Sequence, residues 1–225
     1  AKRFLGDIEL AANVRHPAAV RVHRAGGIGK TAWYSTDIVS GDNLAQRLGV
    51  PCDRGWALDI AMSLCELLVP YGDAGLVHGD LKPKSLALDG ERGVRLMDLG
   101  LIGLNDAERQ RAQARGLTRQ AYYLCPQQAS RGDCNVRSDM YSIGCILVQM
   151  LTGRPPFIGA DFASIMAAHQ REPVPQLAAS LGMPPSFDTV LGDMLHKEQF
   201  FRYETMQLAL NRLREVRAAL QPKSN

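Results

Sequence analysis

No stretch of this sequence is apolar for anything near the ~18 residues that a membrane-spanning helix needs. No signal-peptide pattern is visible in it either. No two cysteines have C-x-x-C spacing, and the five present (Cys52, Cys65, Cys125, Cys134 and Cys145) are odd in number. That argues against a disulfide framework and for free thiols in a reducing compartment, so a cytoplasmic location is expected. Excess charge is also lacking. A net charge of +3 is too weak to mark a partner for nucleic acid or an anionic membrane. There is no internal repeat, low-complexity tract or interdomain linker. What remains is 225 residues, 46% hydrophobic and 22% charged, enough for one well-buried domain or a domain with a small lobe.

The richest stretch is residues 76–100, LVHGDLKPKSLALDGERGVRLMDLG. Asp80 lies in a polar loop with Lys82 two residues on. Leu86, Ala87 and Leu88 predict a short strand, the Asp89-Gly90 turn follows, and residues 93–97 predict a second strand that delivers Asp98 into a Gly-containing turn. Such a hairpin brings Asp80 and Asp98 to one end of two paired strands. Carboxylates presented that way can share a divalent metal and a proton-accepting role.

Around this centre the periodicity is mostly helical. Leu5, Ile8 and Ala12 predict a helix over residues 2–14, broken by His16-Pro17. The segment AAVRVHRAGG reads as a strand and turn, and residues 31–39 as the returning strand. GGIGKT resembles the end of a phosphate-binding loop, but Arg24 stands where that pattern needs glycine and a strand follows where it needs a helix. It is read as a hairpin turn, with Lys30 on the surface. Residues 44–48 predict a short helix, and 54–69 a long amphipathic one ended near Pro70 and Gly72. The Arg- and Gln-rich residues 105–120 have no apolar periodicity and read as a loop, with Thr118 a candidate phosphosite. Residues 137–157 predict an apolar helix closed by Gly153 and Pro155. Helical patterns at 161–169, 187–196 and 204–220 complete the chain. His16, His23, His169 and His196 show no metal-ligand spacing.

Three motifs together resemble the eukaryotic-type (bacterial Hanks-type) Ser/Thr protein kinases. The catalytic loop H-R-D-L-K-P-x-N is matched by His78-Gly79-Asp80-Leu81-Lys82-Pro83-Lys84-Ser85. The metal-binding D-F-G is matched by Asp98-Leu99-Gly100, 18 residues after Asp80. The helix-F pattern is matched from Asp139 to Phe157. The resemblance covers nearly the whole chain. It implies an α+β, protein-kinase-like fold with a mainly α-helical C-lobe (40–225) and a partial N-lobe (1–39: helix C, strands four and five, and the hinge). It makes Asp80 the catalytic base and Lys82 the cation on the transferring phosphate. Asp98 and Ser85 become the metal positions, Thr36, Asp37, Val39 and Ala87 the nucleotide contacts, and His78 a brace for the loop. Asp139 would accept hydrogen bonds from the catalytic-loop backbone. ATP with Mg²⁺ or Mn²⁺ is the implied cofactor set, and a protein substrate or regulatory protein the implied partner.

The sequence also departs from that family. Ser85 replaces the second metal ligand, Asn. Gly79 replaces an arginine that pairs with a phosphorylated loop. Asp7 stands at the helix-C glutamate position. Gln127 replaces a glutamate that pairs with the arginine here at Arg202. The sequence begins at helix C, without the family's Gly-rich loop and strand-three lysine. A fragment or processed form is therefore expected, inactive or nearly so by itself. A pseudokinase that acts as scaffold or allosteric regulator is the alternative, and a small-molecule phosphotransferase a distant one. Apolar surface on helix C, around Leu5 and Ile8, is expected to be exposed and available for self-association.

Overall fold

A computed structural model describes residues 2–28, 31–89, 93–98, 121–131 and 134–220. The chain opens with helix α1 (Lys2–Asn13), then strands β1 (Val22–Ile28) and β2 (Thr31–Thr36). A 3₁₀ turn, Leu44–Gln46, leads to α2 (Arg54–Asp73). A second 3₁₀ turn, Pro83–Ser85, leads to β3 (Leu86–Asp89) and β4 (Gly93–Leu96). Helices α3 (Pro126–Arg131), α4 (Val136–Thr152), α5 (Phe162–Arg171), α6 (Ala178–Leu181), α7 (Ser186–Met194) and α8 (Met206–Ala219) follow. This is an α+β, protein-kinase-like arrangement with a helical C-terminal part.

The two sheets are antiparallel hairpins, β1–β2 and β3–β4. In the first, Gly26 pairs with Trp33 and Gly27 with Ala32, and Ile28 with Thr31. The glycines therefore lie within the strand and not in the turn, and residues 29–30 (including Lys30) fall outside the described residues. A side chain at Gly26 would put its Cβ 2.9 Å from the Trp33 ring. The hairpin is tethered to the rest by a bridge between Ala19 and Leu96 in β4. Leu96 N–H donates to Ala18 O at 2.7 Å, and Val20 N–H to Leu96 O at 3.3 Å.

The core is built on α4. This helix is buried on nearly every side, from Ser138 to Leu151, as a helix with no solvent face should be. Against it pack α2, α7 and α8, and α2 also packs on α8. Helix α2 runs 20 residues, through Pro70. The expected stop there did not occur because the proline sits in the last turn, where its missing N–H costs one bond and its carbonyl still accepts from Ala74 N–H. Exposed ion pairs Arg214–Glu66 and Arg217–Asp59 cross from α8 to α2.

Helix α1 differs from expectation. Ile8 is 1% exposed and joins the main core with Ala11, while Leu5 is half-buried. The α1 face bearing Ile8 packs on the β1–β2 hairpin, so the expected exposed patch at Leu5 and Ile8 is not there. Leu10 of α1 remains exposed.

Within the helical core, His169 is fully buried and its Nδ1 meets the Tyr141 hydroxyl at 2.7 Å. Burial, then the nearby Lys197 charge, pushes its pKa down from 6.5 to about 3. The unfolded chain therefore takes up a proton on this residue before the folded one does, and stability falls as pH drops from 6.5 towards 3. The slope from this group is up to ~1.4 kcal/mol per pH unit. Urea unfolding of wild type and His169→Asn across this range is expected to show a shallower acid slope in the variant. Identical slopes would remove His169 as a source.

Candidate functional site

The loop between α2 and β3 is fixed from below. Asp139, in the first turn of α4, is 2% exposed. Its Oδ2 accepts from His78 N–H at 2.8 Å and its Oδ1 from Gly79 N–H at 2.7 Å. A buried carboxylate is costly unless hydrogen-bonded. Here two backbone donors and the positive end of a helix dipole supply that compensation. Gly79 takes φ 73°, a left-handed conformation that strains any side chain. Its carbonyl accepts from Gln128 Nε2 at 2.8 Å, while Gln128 Oε1 accepts from Cys125 N–H at 3.2 Å. Glycine in place of arginine thus suits the backbone, and α3 helps to pin it.

His78 is fully buried. Its Nδ1 accepts from Asp80 N–H at 3.2 Å, and its Nε2 is 2.8 Å from Asp98 Oδ1. An acceptor Nδ1 puts the proton of the neutral ring on Nε2, so the imidazole donates to Asp98. Burial lowers the His78 pKa, but the Asp98 hydrogen bond and the charges of Asp98, Asp139 and Asp80 outweigh it, and the net shift is upward. Burial likewise raises Asp98, but His78, Ser85 and Lys82 together outweigh it, so that carboxyl lies below its ordinary value. His78 is therefore more than a packing brace: it joins Asp80 to Asp98 across the open end of the β3–β4 hairpin. Asp80 also forms an ion pair with Lys82. Ser85 is 1% exposed. Its hydroxyl makes no hydrogen bond of good geometry, yet lies close enough to Asp98 to favour the ionised carboxylate.

The hinge-side residues are arranged differently. Thr36 ends β2, and its hydroxyl donates to Asp37 O at 3.3 Å. The Asp37 carboxylate accepts from Arg21 N–H at 3.2 Å, His23 Nε2 at 2.8 Å and Arg95 Nη2 at 3.0 Å. The backbone amide of Arg21 is the main cause holding its pKa below the ordinary value; burial opposes it, and Arg95 and His23 add to the lowering. Val39 is half-buried. Ala87 is fully buried, bridged to Asn43, and presents no open surface. Asp7 is half-buried on α1.

Arg202 is 3% exposed. Its guanidinium donates to Gln127 Oε1 at 2.9 Å and to the carbonyls of His196, Arg137 and Lys197, and it stacks 4.6 Å from the Tyr141 ring centroid. Gln127 still meets Arg202, by an amide oxygen in place of a carboxylate. Leu99, Gly100, Thr118 and the arginines at 109, 111, 115 and 119 lie outside the described residues.

Residues 1–212 match the family model described as the protein kinase domain. The chain belongs to the protein kinase family. Among curated relatives, the serine/threonine-protein kinase PknB of Mycolicibacterium smegmatis is 32% identical over 98% of this chain and 37% of the relative. PknB of Mycobacterium tuberculosis is 31% identical over 90% of this chain and 34% of the relative. A probable PknB of Bifidobacterium longum is 37% identical over 58% of this chain and 19% of the relative. The chain thus spans about a third of the length of the first two.

Motif reading had marked Asp80, Lys82, Asp98 and Asp139 as kinase-family positions. It missed the His78–Asp98 contact, the Arg95–Asp37–His23 cluster and the part played by Gln128. These join residues far apart in sequence, and no spacing rule reports them. Asp139→Asn would face one of the two loop amides with an N–H or a poorer acceptor. It is expected to lose about 1–3 kcal/mol of stability in urea unfolding. A variant with wild-type stability would mean that the carboxylate does not hold the loop.

Proposed function

We propose that this domain is the phosphate-transfer half of a Ser/Thr-type protein kinase, with residues 1–39 as part of its N-lobe and 40–225 as its C-lobe. The observation that carries this reading is the convergence of Asp80, Lys82 and Asp98 at one end of the β3–β4 hairpin, on a loop anchored to α4. Asp80 would take the proton of a Ser or Thr hydroxyl as its oxygen attacks the γ-phosphorus of ATP and ADP departs. Lys82, held beside it, would offset charge on the transferring group. Thr36, Asp37, Val39 and Ala87 would lie around the adenine. Of these, the Asp37 amide already donates to Arg21 O at 3.1 Å, so an adenine edge would compete with internal bonds.

The donor set suits a nucleotide-borne Mg²⁺ or Mn²⁺ better than a resident ion. Mg²⁺ is commonly held by one or two carboxylates plus substrate phosphates. Asp98, with its side chain 40% exposed, supplies one carboxylate, and the buried Ser85 hydroxyl is a second oxygen. No group of three His, Cys, Asp or Glu among the described residues could hold a metal. When bound, the ion would neutralise charge on the phosphates. Loss of one positioned electrostatic group can cost ~10²–10³ in rate. Ser85 in place of Asn, with Asp98 already engaged by His78, therefore supports slow transfer or none by residues 1–225 alone.

A pseudokinase, acting through a protein partner, is the second reading. It is favoured by the fully buried Ala87 and by the His78–Asp98 bond, both of which oppose ligand entry. Thermal melting with ATP, with and without Mg²⁺ or Mn²⁺, separates the two. The first reading expects a metal-dependent rise in Tm that Asp98→Asn abolishes, and any phosphate transfer to a Ser-containing protein to vanish in Asp80→Ala. No shift at millimolar ATP would leave the scaffold reading. Robust turnover by residues 1–225 that survives Asp80→Ala would defeat the assignment of the base.

A further inference from the structure

A groove of about 560 Å³ runs beside the Asp80–Lys82 pair. Its walls include Leu48, Lys82, Lys84, Tyr122, Tyr123 and Gln149, and no Asp or Glu among the described residues lines it. Lys82 is compensated by Asp80. Lys84 is exposed and has no ion-pair partner among the described residues. On the far wall, the Tyr123 hydroxyl donates to Gln149 Oε1 at 2.6 Å. The Gln149 amide nitrogen is thereby left as a donor. The groove thus offers an ammonium group and N–H donors between apolar and aromatic walls.

We propose that this groove seats an acidic peptide segment, with Lys84 reading a Glu or Asp side chain close to the residue placed at Asp80. The argument is charge complementarity. A basic segment would meet Lys84 with no carboxylate among the described wall residues to offset the repulsion. A neutral segment would leave the ammonium group without a partner. An acidic segment satisfies the ammonium and the amide while its backbone lies along Leu48 and the tyrosine rings. That the occupant is a phosphate acceptor rests on the reading given above; its acidity does not.

The test uses the 225-residue chain and three fluorescent 12-residue peptides that differ only in whether a central Ser is flanked by Glu, Gln or Lys. Binding is followed by anisotropy without nucleotide. The Glu peptide is expected to bind about fivefold more tightly than the Gln peptide at low salt, and the Lys peptide more weakly than either. The preference should shrink as added salt screens it. Lys84→Glu is expected to reverse the order. Arg171→Glu makes the same change in net charge at an exposed position outside the groove, and should leave the order intact. Equal affinity for the three peptides, or no binding of the Glu peptide at millimolar concentration, overturns the proposal. So does equal loss of preference in both variants, which would assign it to net charge alone. Because no ATP is present, failure of phosphate transfer leaves these outcomes unaffected.

Discussion

The loop that carries Asp80 and Lys82 hangs from a buried carboxylate. Asp139 sits in the first turn of a helix with no solvent face and spends both oxygens on amides of the loop above it. The geometry is costly to leave incomplete. If the loop moved away, a desolvated charge would lose its donors, and that penalty exceeds the worth of an ordinary hydrogen bond. The loop is therefore held by the same packing that holds the core. Rigidity reaches Asp80 through His78, whose backbone is bound from below and whose ring receives the Asp80 amide.

The same economy of partners explains how the substitutions are tolerated. Arg202 is buried beside an amide where a carboxylate would be expected, yet three backbone carbonyls and the Tyr141 ring surround it. Losing the formal ion pair leaves the guanidinium well bonded. Gly79 likewise gives up a cation but accepts a backbone angle that suits it. These changes alter what the site can do electrostatically without loosening the scaffold. The alteration that would bear on the proposed chemistry lies beside Asp98, where Ser85 offers a small buried hydroxyl and the carboxylate already has a histidine.

The fold and the core of the site were legible because both are encoded locally. The apolar runs that end at Asp89 and begin at Gly93 wrote out the hairpin, and the apolar run after Asp139 wrote out the central helix. The acidic residues at the hairpin's open end followed from where those strands begin and stop. Four things were hidden. Pro70 looked like a stop because spacing says nothing of its place in a last turn. Ile8 looked exposed because the hairpin that covers it comes later in the chain. The Arg95–Asp37–His23 cluster joins residues 14 and 58 positions apart, a separation at which sequence pattern carries no distance information. Motif reading likewise gave His78 a packing role, since its bond to Asp98 depends on the closing of the hairpin.

The central claim is that Asp139 couples the loop carrying Asp80 to the unfolding of the whole domain. Hydrogen exchange at the His78 and Gly79 amides tests it most directly, because these two N–H groups are the ones the carboxylate holds. The account expects both to exchange only with global unfolding, as slowly as the amides in the middle of the Val136–Thr152 helix. Exchange on the fast timescale of a surface loop, while that helix stays protected, would contradict it.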